Sequence, residues 1–363
     1  MAVKRPTASA NKRSRSTPRR ATAPTVRDKR PSRPKQLHER EAPYDDIVVE
    51  GDAHDLLRAL APASVDLIIT SPPYWGHRTY EHSYDWRAFK ELAARSTEIP
   101  SYETYRRLGG VLGLEPLPEW YVAHLVEIFE TAHMCLKPQG SIWVNVGDTY
   151  FARWASVRQH GRQGLGDQSR ERRRTPMGGY RQEKQLLLVP SRFAIAMQDR
   201  RWILRNDLIW FKPNVPPRPE SDRLRLAHEH FFHFVKRPKE GRAKYYYDLR
   251  HVEPRAVDVV THNVRAGNGG HTATFPPQLI RPRILSSCPQ GGLVVDPFCG
   301  TGRTLAVALD TGRRALGFEI SPRYAKVARE LVSELRESSA SDRDRVPDAD
   351  RPASLVGARC SSC

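Results

Sequence analysis

Short apolar runs closed by turn residues recur along this chain, and they predict strands of a largely parallel sheet. Ile47-Val-Val-Glu50 reads as a strand, and Leu56, Leu57 and Leu60 mark the helix that follows it. Val65-Asp-Leu-Ile-Ile69 is then a second strand, so this segment forms a βαβ unit with parallel strands and a crossover helix. From Tyr121 to Cys135 the residues Val122, Leu125, Val126, Phe129 and Ala132 recur at helical spacing. Leu136-Lys-Pro-Gln-Gly140 closes that helix, and Ser141-Ile-Trp-Val-Asn-Val146 is the next strand, leading into the rim loop Gly147-Asp-Thr-Tyr150. A helix over 190–200 begins with Pro190 in its first turn. Trp202–Leu204 and Asp207–Phe211 form one strand with an irregularity, and His230–Val235 is expected to pair antiparallel with it. Near the far end, Gly292-Leu-Val-Val-Asp296 is a buried strand, Arg303–Thr311 a helix ended by Gly312, and Ala315-Leu-Gly-Phe-Glu319 the following strand.

Between these elements the character of the chain changes. Residues 76–118 are polar, aromatic and glycine-containing, and read as an insertion over the rim of the sheet. Residues 151–185 lack an apolar period and carry seven arginines between Arg153 and Arg174, which predicts a mobile loop. Residues 236–270 are basic and aromatic, then rich in Gly and Asn. Residues 1–43 hold thirteen Lys and Arg with almost nothing apolar, so they cannot bury a core and are expected to be a disordered basic arm. The folded domain is expected over 44–333, with 334–363 a disordered polar tail.

Lys and Arg number 59 against 41 Asp and Glu, a formal charge of +18, which favours a polyanionic partner. Five cysteines (Cys135, Cys288, Cys299, Cys360, Cys363) show neither a disulfide framework nor paired zinc spacing, so no metal is expected. No apolar run reaches membrane-spanning length, and the N-terminal residues have no apolar signal core, which predicts a soluble intracellular protein with no membrane partner.

Two stretches carry candidate chemistry. Thr70-Ser-Pro-Pro-Tyr-Trp75 directly follows the Val65–Ile69 run, and two consecutive prolines force the strand to end there. The turn aims the carbonyls of Ser71 and Pro72 at a defined point, with the flat face of Tyr74 beside them. Rigid acceptors next to a stacking platform suit the exocyclic amine of a flipped-out nucleobase, although a plain strand-ending turn accounts for the pattern equally well. The second stretch, Pro297-Phe-Cys-Gly-Thr-Gly302, is a glycine turn between a strand and a helix, which brings backbone amides close to a ligand at a helix N-terminus. Glu319 ends the next strand, where an acidic group can bind both hydroxyls of a ribose. The spacing is neither G-x-G-x-x-G nor a P-loop, which disfavours a nicotinamide or ATP. A nucleoside bearing an amino acid fits better, with Asp296 meeting a cation. Asp52 sits at the end of the first strand, on the ligand-facing rim.

Thr70-Ser-Pro-Pro-Tyr74 followed by Asp296-Pro-Phe-Cys-Gly-Thr-Gly302 resembles the amino-methylating DNA methyltransferases, and His271-Thr-Ala-Thr-Phe-Pro276 resembles that family's other cofactor segment. Asp207-Leu-Ile-Trp-Phe-Lys-Pro-Asn214 is similar to a segment lining its flipped-base pocket. The order, catalytic motif first and cofactor motif last, is that of the beta-type permutation in the N4-cytosine/N6-adenine branch, and the likeness runs from about Ile47 to Val332.

The resemblance implies an α/β fold: a Rossmann-like, seven-stranded mixed sheet with helices on both faces, in circularly permuted order. It implies S-adenosylmethionine as cofactor, with Asp296, Phe298, Gly300, Gly302 and Thr304 at its methionine and adenine end and Glu319 on the ribose. Thr274 and Phe275 would close that pocket and Asp52 would reach the adenine side. Ser71, Pro72, Pro73 and Tyr74 would form the catalytic turn, with acceptors on the target amine and Tyr74 stacked on the base. Double-stranded DNA is the implied partner in a prokaryotic, nucleoid-associated cytoplasmic setting, and a cognate restriction endonuclease on the same site stays open. Within that family, Ser rather than Asp before Pro-Pro-Tyr resembles the cytosine-N4 enzymes. Carbon-5 methylation is disfavoured, because it needs a nucleophilic thiol and Cys288 precedes its proline. The alternatives are adenine-N6 methylation, RNA methylation, and an inactive basic DNA-binding protein on this fold. Residues 236–270, helped by 76–118 and 151–185, are the expected base-reading segments.

Overall fold

The computed structural model describes residues 47–76, 84–96, 98–152, 154–158, 170–215, 221–252, 256–264 and 276–344. The basic arm over 1–43, Thr274 and Phe275 lie outside the described residues.

In chain order the elements begin with strand β1 (Val48–Glu50), helix α1 (Ala53–Ala59) and strand β2 (Val65–Thr70). Helices α2 (Trp86–Arg95), α3 (Tyr102–Arg107) and α4 (Pro118–Cys135) lead to β3 (Leu136–Val146). Next come β4 (Trp154–Arg158), β5 (Arg170–Arg174), α5 (Val189–Gln198), β6 (Trp202–Phe211), β7 (His228–Lys236) and β8 (Val259–Thr261). The last are α6 (Pro277–Ser287), β9 (Leu293–Asp296), α7 (Arg303–Asp310), β10 (Arg314–Glu319) and α8 (Pro322–Asp344).

Among the described residues, eight strands form one sheet in the order β1-β10-β9-β2-β3-β7-β6-β8. Only β7 runs against the others in that sheet, paired antiparallel to both β3 and β6. The expected mixed sheet therefore carries an eighth strand: Val259–Thr261 adds parallel to the outer edge of β6, where Ile209 to Phe211 offer free backbone groups. The irregularity expected in β6 is a register shift between Leu204 and Asn206.

Because the strands are covered on both sides, their residues are apolar at successive positions and sort by parity. Ile68, Val144, Phe232 and Val295 join the core under α1, α4 and α5, whereas Leu67, Trp143, Phe231 and Val294 join the core under α6, α7 and α8.

Two expectations need correction. Residues 151–185 are not without regular structure: β4 and β5 pair as an antiparallel ribbon, with Trp154 opposite Arg174 and Arg158 opposite Arg170. The excursion leaves and returns at one point, where Phe151 N donates to Gln185 O at 2.7 Å and Leu187 N to Thr149 O at 3.0 Å. Holding the two chain ends side by side lowers the closure entropy that ribbon pairing must overcome. Within the expected 76–118 insertion the described residues include α2 and α3, capped by the side chains of Asp85 and Ser101. Helix α8 runs to Asp344, beyond the boundary expected near 333, because Ala325, Ala328 and Val332 bury its first turns against the sheet.

The two strands that carry the candidate motifs, β2 and β9, are parallel neighbours, with Leu67 beside Val294 and Ile68 beside Val295. Both ends of that seam are tied by side chains. At the start of the strands Asp66 accepts from Leu293 N at 2.8 Å and from Lys137 Nζ at 2.8 Å. At their finish Thr70 Oγ1 donates to Asp296 Oδ1 at 2.5 Å. Asp66→Ala leaves the buried Leu293 N–H without its acceptor and is expected to lower unfolding stability by about 1–3 kcal/mol. Denaturant unfolding read by circular dichroism checks this, and a value within a few tenths of wild type would refute it.

Candidate functional site

The turn after β2 is held from three directions. Tyr121 Oη donates to Pro73 O at 2.8 Å, Gly76 N to Gly113 O at 2.6 Å, and Trp75 Nε1 to Glu115 O at 3.0 Å. Glu115 is itself buried, accepting from Gly113 N and paired with His124 at 3.1 Å. Thus the 76–118 insertion and α4 brace the turn from outside the sheet.

Tyr74 points across the finish of β3 towards β7. Its ring lies so close over Gly147 that a Cβ there would stand 2.7 Å from it. Its hydroxyl donates to Glu229 Oε2 at 2.7 Å and accepts from Asn145 Nδ2 at 2.6 Å, and Asn145 also donates to Glu229 at 2.6 Å. Lys212 Nζ donates to the other oxygen, Oε1, of Glu229. Burial and the negative charge of Glu229 push the Tyr74 phenol well above its usual range, so it stays a donor. Burial works to raise the Glu229 carboxyl too, but Lys212 and the hydrogen bonds outweigh it and hold the group below its ordinary value, so it is ionised. Ser71 Oγ lies 3.5 Å from the Tyr74 hydroxyl.

One strand over, β9 delivers Asp296, 2% exposed, to the same rim. Its carboxylate accepts from Thr70, from Phe298 N at 3.1 Å, and from the side chain of Thr304 at the start of α7. The turn between them is possible because Gly300 (φ 54°) and Gly302 (φ 80°) take left-handed conformations. A Cβ on Gly302 would also stand 3.0 Å from Ala328 of α8. Glu319, 7% exposed at the finish of β10, accepts from Gly300 N at 2.9 Å and Ser321 N at 2.8 Å. Burial raises Asp296 to about 6 and Glu319 to about 7, against ordinary values of 3.8 and 4.5. Hydroxyls and backbone amides pull the other way without overcoming burial. A pair of buried carboxylates of this kind is a donor set for a cationic ligand with hydroxyl groups.

Ser71, Pro72, Pro73 and Tyr74 thus share one rim with Asp296, Phe298, Gly300, Gly302, Thr304 and Glu319. Asp52 reaches that rim as well, since Gly51 N donates to Glu319 O at 2.9 Å. Its carboxylate, however, is committed. It caps α1 through His54 N at 2.8 Å, and takes Arg106 Nη1 at 2.8 Å and Tyr102 Oη at 2.9 Å. Asp52 therefore anchors the 76–118 insertion beside β10.

Within the expected base-reading stretch 236–270, the first part lies at the other end of the strands. Lys236 bonds Leu136 O, Tyr246 N donates to Gln139 O and Asp248 N to Ser286 O. The chain returns to the functional rim only after β8, where His262 N donates to Phe211 O and Asn214 pairs with the backbone of Val264.

Sequence reading missed Asn145 and Glu229. The available signal was a polar residue interrupting an apolar strand near its rim end, in Ile142-Trp-Val-Asn-Val146 and in His228-Glu-His-Phe-Phe232. The described cysteines are buried thiols, Cys135 and Cys288 pushed by burial to about 12, which makes them poor nucleophiles.

Residues 65–330 match the family described as DNA methylase, of the N6/N4 type. The chain is 32% identical over 295 residues to the type II methyltransferase M.SmaI of Serratia marcescens, covering 78% of this chain and 90% of that one. It is 34% identical over 287 residues to the type II methyltransferase M.Cfr9I of Citrobacter freundii, covering 77% and 85%. In fold it is similar to a solved PvuII DNA methyltransferase, titled cytosine-N4-specific, with a TM-score of 0.54, 20% identity, and 80% and 89% of the two chains covered. Among the described residues no helix is long and apolar enough to cross a membrane.

The raised carboxyls give a pH test. Each binds its proton more tightly in the folded than in the unfolded state, so the folded protein holds extra protons between the ordinary values and about 6 and 7. Stability of the ligand-free protein is therefore expected to fall as pH rises through that window and to level off above it. Asp296→Asn and Glu319→Gln should flatten this part of the melting-temperature profile. A wild-type-minus-variant difference independent of pH would show that these groups titrate normally.

Proposed function

This chain is a type II DNA methyltransferase of the N6/N4 DNA methylase family, and from that premise we propose that it methylates the exocyclic N4 of cytosine in double-stranded DNA, protecting a restriction site. We propose S-adenosylmethionine as the donor. The observation that carries the reading is the side-by-side placement of β2 and β9, with β10 next to β9, which brings the Ser71–Tyr74 turn and two buried carboxylates to a single rim.

The residues present fit that cofactor. Asp296 and Glu319 are buried acids suited to a cation and a ribose diol, and the left-handed glycines leave room for close approach to the start of α7. Phe298, Thr304 and, beyond the described residues, Thr274 and Phe275 complete the proposed lining. Asp52 would act there through Arg106 and Tyr102, which it holds. When bound, the cofactor supplies an electrophilic methyl group on a sulfonium.

What this chain supplies is the nucleophile's geometry. The amine of cytosine is weak because its lone pair is delocalised into the ring. The carbonyls of Ser71 and Pro72, with the Ser71 hydroxyl oxygen, accept hydrogen bonds from its N–H groups and draw the nitrogen towards a tetrahedral form. Pro73 stiffens the turn, and its own carbonyl is already occupied by Tyr121. Tyr74 stacks on the extruded base and fixes its distance and tilt. The methylated amine is a strong acid and loses its surplus proton readily, so no strongly basic side chain is needed. Ser71, where the adenine enzymes of this family more often carry Asp, favours cytosine.

Incubation with radiolabelled cofactor and plasmid DNA, followed by nucleoside chromatography, tests this. Label in N4-methylcytosine is expected. Label in N6-methyladenine would move the target base, label in RNA the substrate, and DNA binding without label would leave only a binder. Tyr74→Ala and Ser71→Ala are expected to lower transfer by about a hundredfold or more while cofactor affinity holds. Equal loss of cofactor binding in both variants would count against the assignment.

A further inference from the structure

The hydroxyl of Tyr74 is not needed for stacking, because a phenylalanine ring presents the same face to a base. Yet three other segments meet there, two bonding it directly and one through Glu229. Asn145 comes from the finish of β3, Glu229 from the start of β7, and Lys212 from the residue after β6, while Tyr74 itself sits in the turn after β2. The hydrogen-bond directions follow from one another. The phenol donates to Glu229, so its lone pairs are left to accept from Asn145, and the Asn145 amide must turn its NH2 towards both oxygens. Gly147 sets how deep the ring can sit.

The cluster is also an expensive one to build. Glu229 and Lys212 are each 13% exposed, and a buried ion pair adds little net stability relative to apolar residues of the same volume. Such a pair gives direction rather than strength. With Lys212 balancing its charge, Glu229 remains a fixed anionic acceptor to which the phenol is bound in one orientation.

We propose that Glu229 is a positioning residue that acts through Tyr74. It locks the phenol and thereby sets the plane of the ring against which the extruded base lies. The inference rests on the proposed base-stacking role of Tyr74, and it extends the site to a strand that carries neither motif. Neither Glu229 nor Lys212 is required to meet the reacting atoms for this. Tyr74→Phe keeps the stacking face and loses the lock, whereas Glu229→Ala keeps the tyrosine and loses its anchor.

Both variants are expected to lower kcat by between about tenfold and a hundredfold, with KM for DNA and cofactor affinity within about twofold of wild type. The Tyr74→Phe/Glu229→Ala double variant should be no slower than the slower single, because both changes remove one interaction. With 2-aminopurine at the target position and no cofactor present, emission of the DNA complex should rise in both variants as the base loses its ordered contact with the ring. Wild-type kcat in Tyr74→Phe, or rate losses that add in the double variant, would overturn the inference. The wild-type arm separately judges the methyltransferase reading. Ring-labelled tyrosine NMR judges the lock without any methyl transfer: the Tyr74 resonance should shift or broaden in Glu229→Ala, and an unchanged resonance would remove the lock whatever the enzyme assay gives. Tyr74→Phe, which deletes a single oxygen, keeps the test decisive if Glu229→Ala does not fold.

Discussion

Everything at the rim depends on one seam, the parallel pairing of β2 with β9 between residues separated by more than half of the chain. Parallel strands cannot be joined by a tight turn, so a chain that places them side by side must travel a long way between them. Here it uses the journey to build one side of the sheet, from β3 outwards through β7, β6 and β8, before coming back. The hydrogen bond from Thr70 to Asp296 is where that route closes. It joins the last residue of one motif strand to the last residue of the other, which makes the two loops a single structural unit despite their distance in sequence.

Charge is handled differently on the two halves of this unit. On the β9–β10 side, Asp296 and Glu319 are buried among hydroxyls and amides, and burial lifts both towards neutrality. On the β3–β7 side, Glu229 is somewhat more open but still largely enclosed, has Lys212 against it and remains ionised. The first arrangement leaves a demand for positive charge that a ligand can meet. The second is complete in itself and can only orient its neighbours. A carboxyl group is therefore lifted towards neutrality in one place and kept ionised in the other, and the difference is the nearby cation.

Much of this was legible before any coordinates. Buried parallel strands announce themselves as apolar runs, and β2, β9 and β10 lie within a residue of where those runs place them. Helix α4 and the break in β6 were equally clear from spacing. The elements that escaped are those whose stability comes from elsewhere. Strand β8 is three residues long and exists because β6 offers an open edge. Helix α6 contains Pro282 and two arginines on either side of it, which hides its buried Leu279, Ile280 and Ile284. The β4–β5 ribbon follows from a closed neck formed outside its own sequence. Within the site, the two motifs were visible because prolines and glycines mark backbone geometry. Glu229 was not, because a single acid among aromatics acquires meaning only once β7 is seen to run beside β3.

The neck at Tyr150 and Leu186 has an evolutionary consequence. An excursion that departs and re-enters through paired residues transmits little strain to the sheet beneath it, whatever its length or composition. The far end of the segment, beyond the β4–β5 pairing, can consequently change in length, whereas its base is tied to the domain by the buried Phe151 and Thr175 and by the Arg181–Glu119 ion pair. A lineage built on this plan is free to vary one side of that neck while the rim on the other side stays fixed.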